Sequence, residues 1–142
     1  IQQLAHSSYE DVYDFFRTLK PLHSGMQVIR WLHQNNIPFT VLSAPLRGPY
    51  NDASIQGKKD WLDQFNQGTS NNAIFTSSKF NYAVTNGHPN VLVDDFGPYL
   101  KAWADAGGIA VKHEDEHEDP NSGQHTIEQL EKIYGPYLND RT

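Results

Sequence analysis

The sequence predicts an α/β fold, a mostly parallel sheet flanked by helices with its chemistry on one edge. Three observations predict it. From Phe39 onward, short apolar runs alternate with helical stretches in the order strand, helix, strand, strand, helix, strand, helix. That is the pattern of a sheet whose strands are joined by crossovers. The run Val91-Leu92-Val93 is continuously apolar, as suits a strand covered on both faces. It ends in adjacent acids, Asp94-Asp95, and a Phe96-Gly97-Pro98 break, at the strand end where open α/β sheets bind ligands.

Composition narrows the classes. At 142 residues the chain is one domain's worth of polypeptide, long enough to bury a core. The absence of cysteine excludes disulfides and thiolate zinc and suits a cytoplasmic setting. A formal net charge of −6 argues against non-specific binding to a nucleic acid duplex or an anionic membrane. No run of about 18 apolar residues is present to span a bilayer, and no leader-like segment is visible. The chain begins Ile1-Gln2-Gln3 without methionine, so it reads as a segment of something longer.

In order, Ser7 or Ser8 is expected to cap a first helix, with Val12, Phe15, Phe16 and Leu19 on one face and Lys20-Pro21 as its stop. Ser24 with Gln27 predicts a capping box for a second, burying Val28, Trp31 and Leu32 and ending at Asn35-Asn36. Phe39–Leu42 is a strand by composition. A third helix buries Ile55, Trp61, Leu62 and Phe65, with Lys58-Lys59 expected near its start. Gly68 through Asn72 forms a polar loop, and Ala73-Ile74-Phe75-Thr76 the next strand. After the acidic strand, a helix over Tyr99–Ala106 buries Leu100, Trp103 and Ala104, and Gly107-Gly108 stops it. Ile109-Ala110-Val111 is a further strand. The run His113–Asp119 invites a metal, but it lacks apolar periodicity and reads as a solvated acidic loop. Thr126 and Gln129 predict a last capping box, with Ile127, Leu130, Ile133 and Tyr134 buried before Gly135-Pro136.

Three polar groups fall at the carboxyl ends of predicted strands. Ser43, with Arg47 in the Pro/Gly loop beyond it, offers a hydroxyl and a two-pronged guanidinium to a phosphate; the alternative is a turn serine and a solvated arginine. Lys79 follows the next strand. Asp94 and Asp95 repel each other when ionised, and a bound divalent cation removes that repulsion; the alternative is that one caps the following helix and the other is solvated. Hydroxyl, ammonium and paired carboxylates together suit phosphate plus magnesium (Mg2+).

These words resemble motifs II, III and IV of the haloacid dehalogenase superfamily: Val41-Leu42-Ser43-Ala44-Pro45, then Lys79, then Val91-Leu92-Val93-Asp94-Asp95 running through Ala102-Trp103 to Ala106-Gly107-Gly108-Ile109. Leu62-Asp63-Gln64-Phe65 after Trp61 adds to the likeness, which covers roughly residues 19 to 113 and is nearest to the 5′(3′)-deoxyribonucleotidases and related phage and bacterial nucleotidases. The resemblance implies a single core over residues 22–142, preceded by the tail of a small helical cap over 1–21. It implies that Ser43 and Lys79 are catalytic and bind phosphate, that Arg47 helps hold a nucleotide phosphate, and that Asp94 and Asp95 serve magnesium. The substrate implied is a nucleoside monophosphate or another small phosphomonoester.

One departure is large. The first motif of that superfamily, an apolar strand ending in Asp-x-Asp, is absent; Asp94-Asp95-Phe96 does not qualify, and Asp11-Val12-Tyr13-Asp14 lies in a helix. Its first aspartate attacks phosphorus, and its strand lies at the sheet's centre. The expectation is therefore a magnesium-dependent phosphatase or nucleotidase whose nucleophile strand comes from an upstream segment or another chain. The alternative is a non-catalytic domain that binds a nucleotide or a protein partner. A phosphoacceptor receiver domain uses similar groups, but there the acidic pair precedes the hydroxyl and lysine, whereas here it follows them.

Overall fold

The computed structural model describes residues 9–65 and 72–139, with helices α1 (Tyr9–Arg17), α2 (His23–Gln34), α3 (Asn51–Phe65), α4 (Gly97–Asp105) and α5 (Ser122–Asn139). The strands are short: β1 (Leu42–Ser43), β2 (Ile74–Phe75), β3 (Val84–Thr85), β4 (His88–Pro89), β5 (Val91–Asp94) and β6 (Ile109–Lys112). Three two-stranded pairings form, β1–β2 and β5–β6 parallel and β3–β4 antiparallel. The architecture is mixed helix with small, mainly parallel sheets. The chain divides into two compact units, Ile1–Lys20 with Thr40–Ser78 and Pro21–Phe39 with Lys79–Thr142.

In the first unit, α1 packs on α3 through small residues. Val12 and Ala53 are fully buried, with Tyr13, Phe16, Leu46 and Tyr50 around them. Phe15 and Leu19, expected on the buried face of α1, are exposed. Ile55, Trp61 and Leu62 of α3 are only half-buried, while α1 comes close to α3 at Gly57 and packs on Ala53. Lys58 and Lys59 lie in mid-helix, since α3 begins at Asn51. The buried Ser54 hydroxyl accepts from the Leu46 N–H at 3.0 Å and donates to the Asn51 carbonyl at 2.8 Å, while the Asn51 amide donates to the Leu46 carbonyl at 3.1 Å. Those bonds tie the loop after β1 to the first turn of α3.

In the second unit, Val28, Val111, Ile127 and Leu130 form the core, with Trp31, Leu32, Val91, Val93, Ile133 and Tyr134 packed against it. The stripes expected on the second and last helices are thus the ones buried. Ala104 is exposed, whereas Leu100 and Trp103 of α4 are buried as expected. The β3–β4 hairpin turns on Asn86-Gly87, both at positive φ, 52° and 79°, the sequence signal for such a turn. The Trp103 indole N–H donates to the Asn90 carbonyl at 2.9 Å, and the Asn90 amide reaches the Tyr82 carbonyl and Thr85 hydroxyl. Together they anchor the start of β5.

Two expected capping boxes do not form. α2 begins at His23 behind Leu22, with no side-chain cap, and Ser24 lies inside it. α5 begins at Ser122, so Thr126 is interior. Both hydroxyls instead meet His113, Ser24 Oγ at 3.2 Å from Nε2 and Thr126 Oγ1 at 2.8 Å from Nδ1; a buried hydroxyl finds its partner in the core and not in its own first turn. α5 also continues through Gly135-Pro136, where proline removes one backbone donor. The expectations for Ser7, Ser8 and most of the Gly68–Asn72 loop fall outside the described residues, as does that for the Phe65 side chain.

Gly57 generates a test. A Cβ there would lie 2.6 Å from the Tyr13 carbonyl oxygen and 2.9 Å from Phe16 Cβ. Gly→Ala in a helix interior ordinarily stabilises by about 1 kcal/mol. Gly57→Ala is expected to destabilise instead, by about 1–3 kcal/mol from overpacking, as read by denaturant unfolding; a stabilised variant contradicts the close approach.

Candidate phosphate and metal site

The carboxyl end of β5 carries the second unit's polar centre. The strand is held by β6 and the residue after it, with the Ile109 and His113 N–H groups donating to the Asn90 and Asp94 carbonyls at 2.9 Å each. At its end the Asp94 carboxylate is used on both oxygens. Oδ2 accepts from the Lys79 ammonium at 2.6 Å, and Oδ1 accepts from the Phe96 N–H at 3.0 Å. The lysine and aspartate side chains are 7 % and 9 % exposed, so this is a buried ion pair. Lys79 comes from the 3-10 turn Lys79–Tyr82, which packs on α4. Its ammonium also lies 4.5 Å from the Tyr99 ring centroid, a cation–π contact that helps hold a charge away from water.

Asp95 stands beside this pair as an exposed residue. Its carboxyl is nevertheless held above the usual carboxylate range, first by partial removal from water and then by hydrogen bonding and charge from Asp94, with Lys79 opposing. The site thus holds one compensated carboxylate and one that is costly to ionise.

Ser43 and Arg47 belong to the first unit. The Ser43 hydroxyl ends β1 and accepts from the Lys58 ammonium at 2.9 Å, and the same ammonium donates to the Ala44 carbonyl at 2.6 Å. Arg47 is exposed in the tied-down loop. The structure therefore joins Lys79 with Asp94 and Asp95, and Ser43 with Lys58. Lys58 as the partner of Ser43, the Tyr99 ring against Lys79 and the Phe96 ring against Tyr99 are additions. The signal for Lys58 is its spacing of two turns into a helix that starts right after the serine loop.

In the His113–Asp119 run, Asp115 accepts from the His117 N–H at 2.7 Å. Asp119 accepts from the Asn121 N–H at 3.0 Å and meets His125 Nδ1 at 2.6 Å, a contact that lowers the aspartate's pKa. Among the described residues, no group of three or more His, Cys, Asp or Glu side chains converges on a metal position. The donor set of Asp94 and Asp95 still fits magnesium, which binds through one or two carboxylates and takes its other ligands from water and substrate phosphate. Comparisons with protein-family models, curated proteins and solved structures found no match.

The raised pKa of Asp95 sets a pH dependence. Its folded-state value lies above its unfolded value, so ionising it costs folding free energy, and the cost grows as pH rises upward from the ordinary carboxylate value. In metal-free buffer, Asp95→Asn is expected to melt above the wild type at pH 7. The difference should vanish well below the ordinary carboxylate pKa, where folded and unfolded states are both protonated. A variant that melts lower at pH 7 contradicts this account of the pair.

Proposed function

We propose that this chain is the larger part of a magnesium-dependent phosphomonoester hydrolase with a haloacid-dehalogenase-like core, acting on small phosphomonoesters of the nucleoside monophosphate class. The observation that carries the proposal is the buried Lys79 ammonium against Asp94, with Asp95 beside it, at the carboxyl end of a parallel strand. A buried ammonium can neutralise a phosphoryl oxygen, and paired carboxylates can hold the metal that the phosphate shares. Bound magnesium would supply charge neutralisation at the transferring phosphoryl group. Asp94 and Asp95 would hold it, and Lys79 would then turn from Asp94 to the phosphate. Ser43 and Arg47 enter through the resemblance alone, as donors to phosphate oxygens; Lys58 adds positive charge next to the Ser43 hydroxyl.

The nucleophile comes from outside this sequence. β5 uses the backbone of Asn90 and Asp94 toward β6, and strand alternation turns the N–H and C=O groups of Val91 and Val93 to the opposite side. Among the described strands, β5 pairs only with β6. An apolar strand bearing Asp-x-Asp, from a preceding segment or another chain, would satisfy those groups and bring an attacking carboxylate to the site. A non-catalytic binding domain is favoured by one observation, that both Asp94 oxygens are already engaged by the protein.

The assay is phosphate release from deoxynucleoside monophosphates with magnesium. The chain alone is expected to show no turnover above background, and turnover should appear on adding a polypeptide that supplies the Asp-x-Asp strand. Robust turnover by the isolated chain refutes the absence of a nucleophile. Binding without turnover after the addition supports the non-catalytic domain.

A further inference from the structure

Two aromatic rings flank the acidic pair, and phosphate chemistry does not use them. Phe96, the residue directly after Asp95, is 50 % exposed. Its ring meets Tyr99 edge-on, with centroids 4.8 Å apart and planes at 63°. Tyr99 in turn lies against the Lys79 ammonium. Ammonium, Tyr99 ring and Phe96 ring thus form a continuous series from the candidate phosphate position outward. The Phe96 backbone is fixed as well, since its N–H donates to Asp94 Oδ1.

The position makes this exposure costly. Phe96 is the N-cap of α4 and makes no side-chain cap bond. Ser, Thr, Asp or Asn there would satisfy a free helix N–H, commonly worth about 1 kcal/mol, whereas an apolar residue forgoes that bond. A large ring left half in water also gains little from burial. Packing against Tyr99 favours a ring here but leaves half of it in water, where a ligand with a flat π-face can use it, because aromatic side chains stack on any nucleobase.

We propose that Phe96, backed by Tyr99, is the stacking platform for the base of a nucleoside monophosphate whose phosphate is held at Lys79. This rests on the phosphate site proposed above, and it assigns discrimination between nucleotide and sugar phosphate to one side chain. The half-exposed Phe96 ring can take a third ring in an edge-to-face or offset-stacked arrangement, the preferred ones. No base identity follows, since stacking tolerates every base.

The test is calorimetric binding, in the presence of magnesium, of deoxythymidine monophosphate, ribose 5-phosphate and inorganic phosphate. The wild type is expected to bind the nucleotide roughly 5- to 150-fold tighter than the sugar phosphate, the span of one base–aromatic stack. Phe96→Ala should abolish that ratio while leaving the affinity for inorganic phosphate and the melting temperature unchanged; Phe96→Trp should keep it. An unchanged ratio in Phe96→Ala overturns the platform. Ring resonances of Phe96 are followed in parallel with deoxythymidine, which has no phosphate. If all three phosphate compounds fail to bind but the nucleoside shifts those resonances, the phosphate site falls and the platform stands. If the nucleoside shifts nothing either, the platform falls with it.

Discussion

The buried pair between Lys79 and Asp94 is the interaction on which the second unit's polar end depends. Withdrawing either charge from water costs several kcal/mol, and mutual attraction with good hydrogen bonds is what offsets that cost. Removing one partner of such a pair typically costs about 3–5 kcal/mol, because the other is left buried and uncompensated. The pair also organises its surroundings. It draws the 3-10 turn of Lys79 onto α4, and the second Asp94 oxygen sets the turn from β5 into that helix. The Tyr99 ring also lies against the ammonium. One carboxylate therefore links a strand, a turn and a helix.

This arrangement has a consequence for Asp95. Partial removal from water, reinforced by hydrogen bonding and charge from Asp94, raises the pKa of the neighbouring carboxyl, and the opposing charge of Lys79 does not cancel that rise. A divalent cation is the simplest species that relieves both acids together. It would also free the lysine for a phosphoryl oxygen. A site of this kind is closed upon itself without ligand, and metal and phosphate would open it jointly, each favouring the binding of the other.

Much of this was legible in the sequence, for identifiable reasons. Apolar periodicity marks α2, α4 and α5 because each packs one continuous stripe on a core, as Val28, Leu100 with Trp103, and Ile127 with Leu130 show. The extent of Val91–Asp94 is legible because its apolar run stops at the acids. Helix starts are not, because a cap hydroxyl and a core hydroxyl are the same residue type; Ser24 and Thr126 serve His113 from within their helices. The first helix pair misleads for another reason. It closes at Gly57 and Ala53, and close backbone approach carries no hydrophobic signature. The place of Asp94 at the end of its strand was readable from the apolar run before it, whereas Lys79 reaches it from a 3-10 turn. The pairing of Ser43 with Lys58 was not, since it depends on where α3 begins.

Carboxyl carbon NMR of the chain, titrated with magnesium in the presence of inorganic phosphate, tests the central claim most directly. A metal and phosphate site at the end of β5 predicts saturable shifts at Asp94 and Asp95. It also predicts that the Asp95 pKa falls toward the ordinary carboxylate range, with Asp115 and Asp119 unaffected. Carboxyl signals of Asp94 and Asp95 that ignore magnesium in the folded protein, or that move no more than those of Asp115 and Asp119, would contradict it.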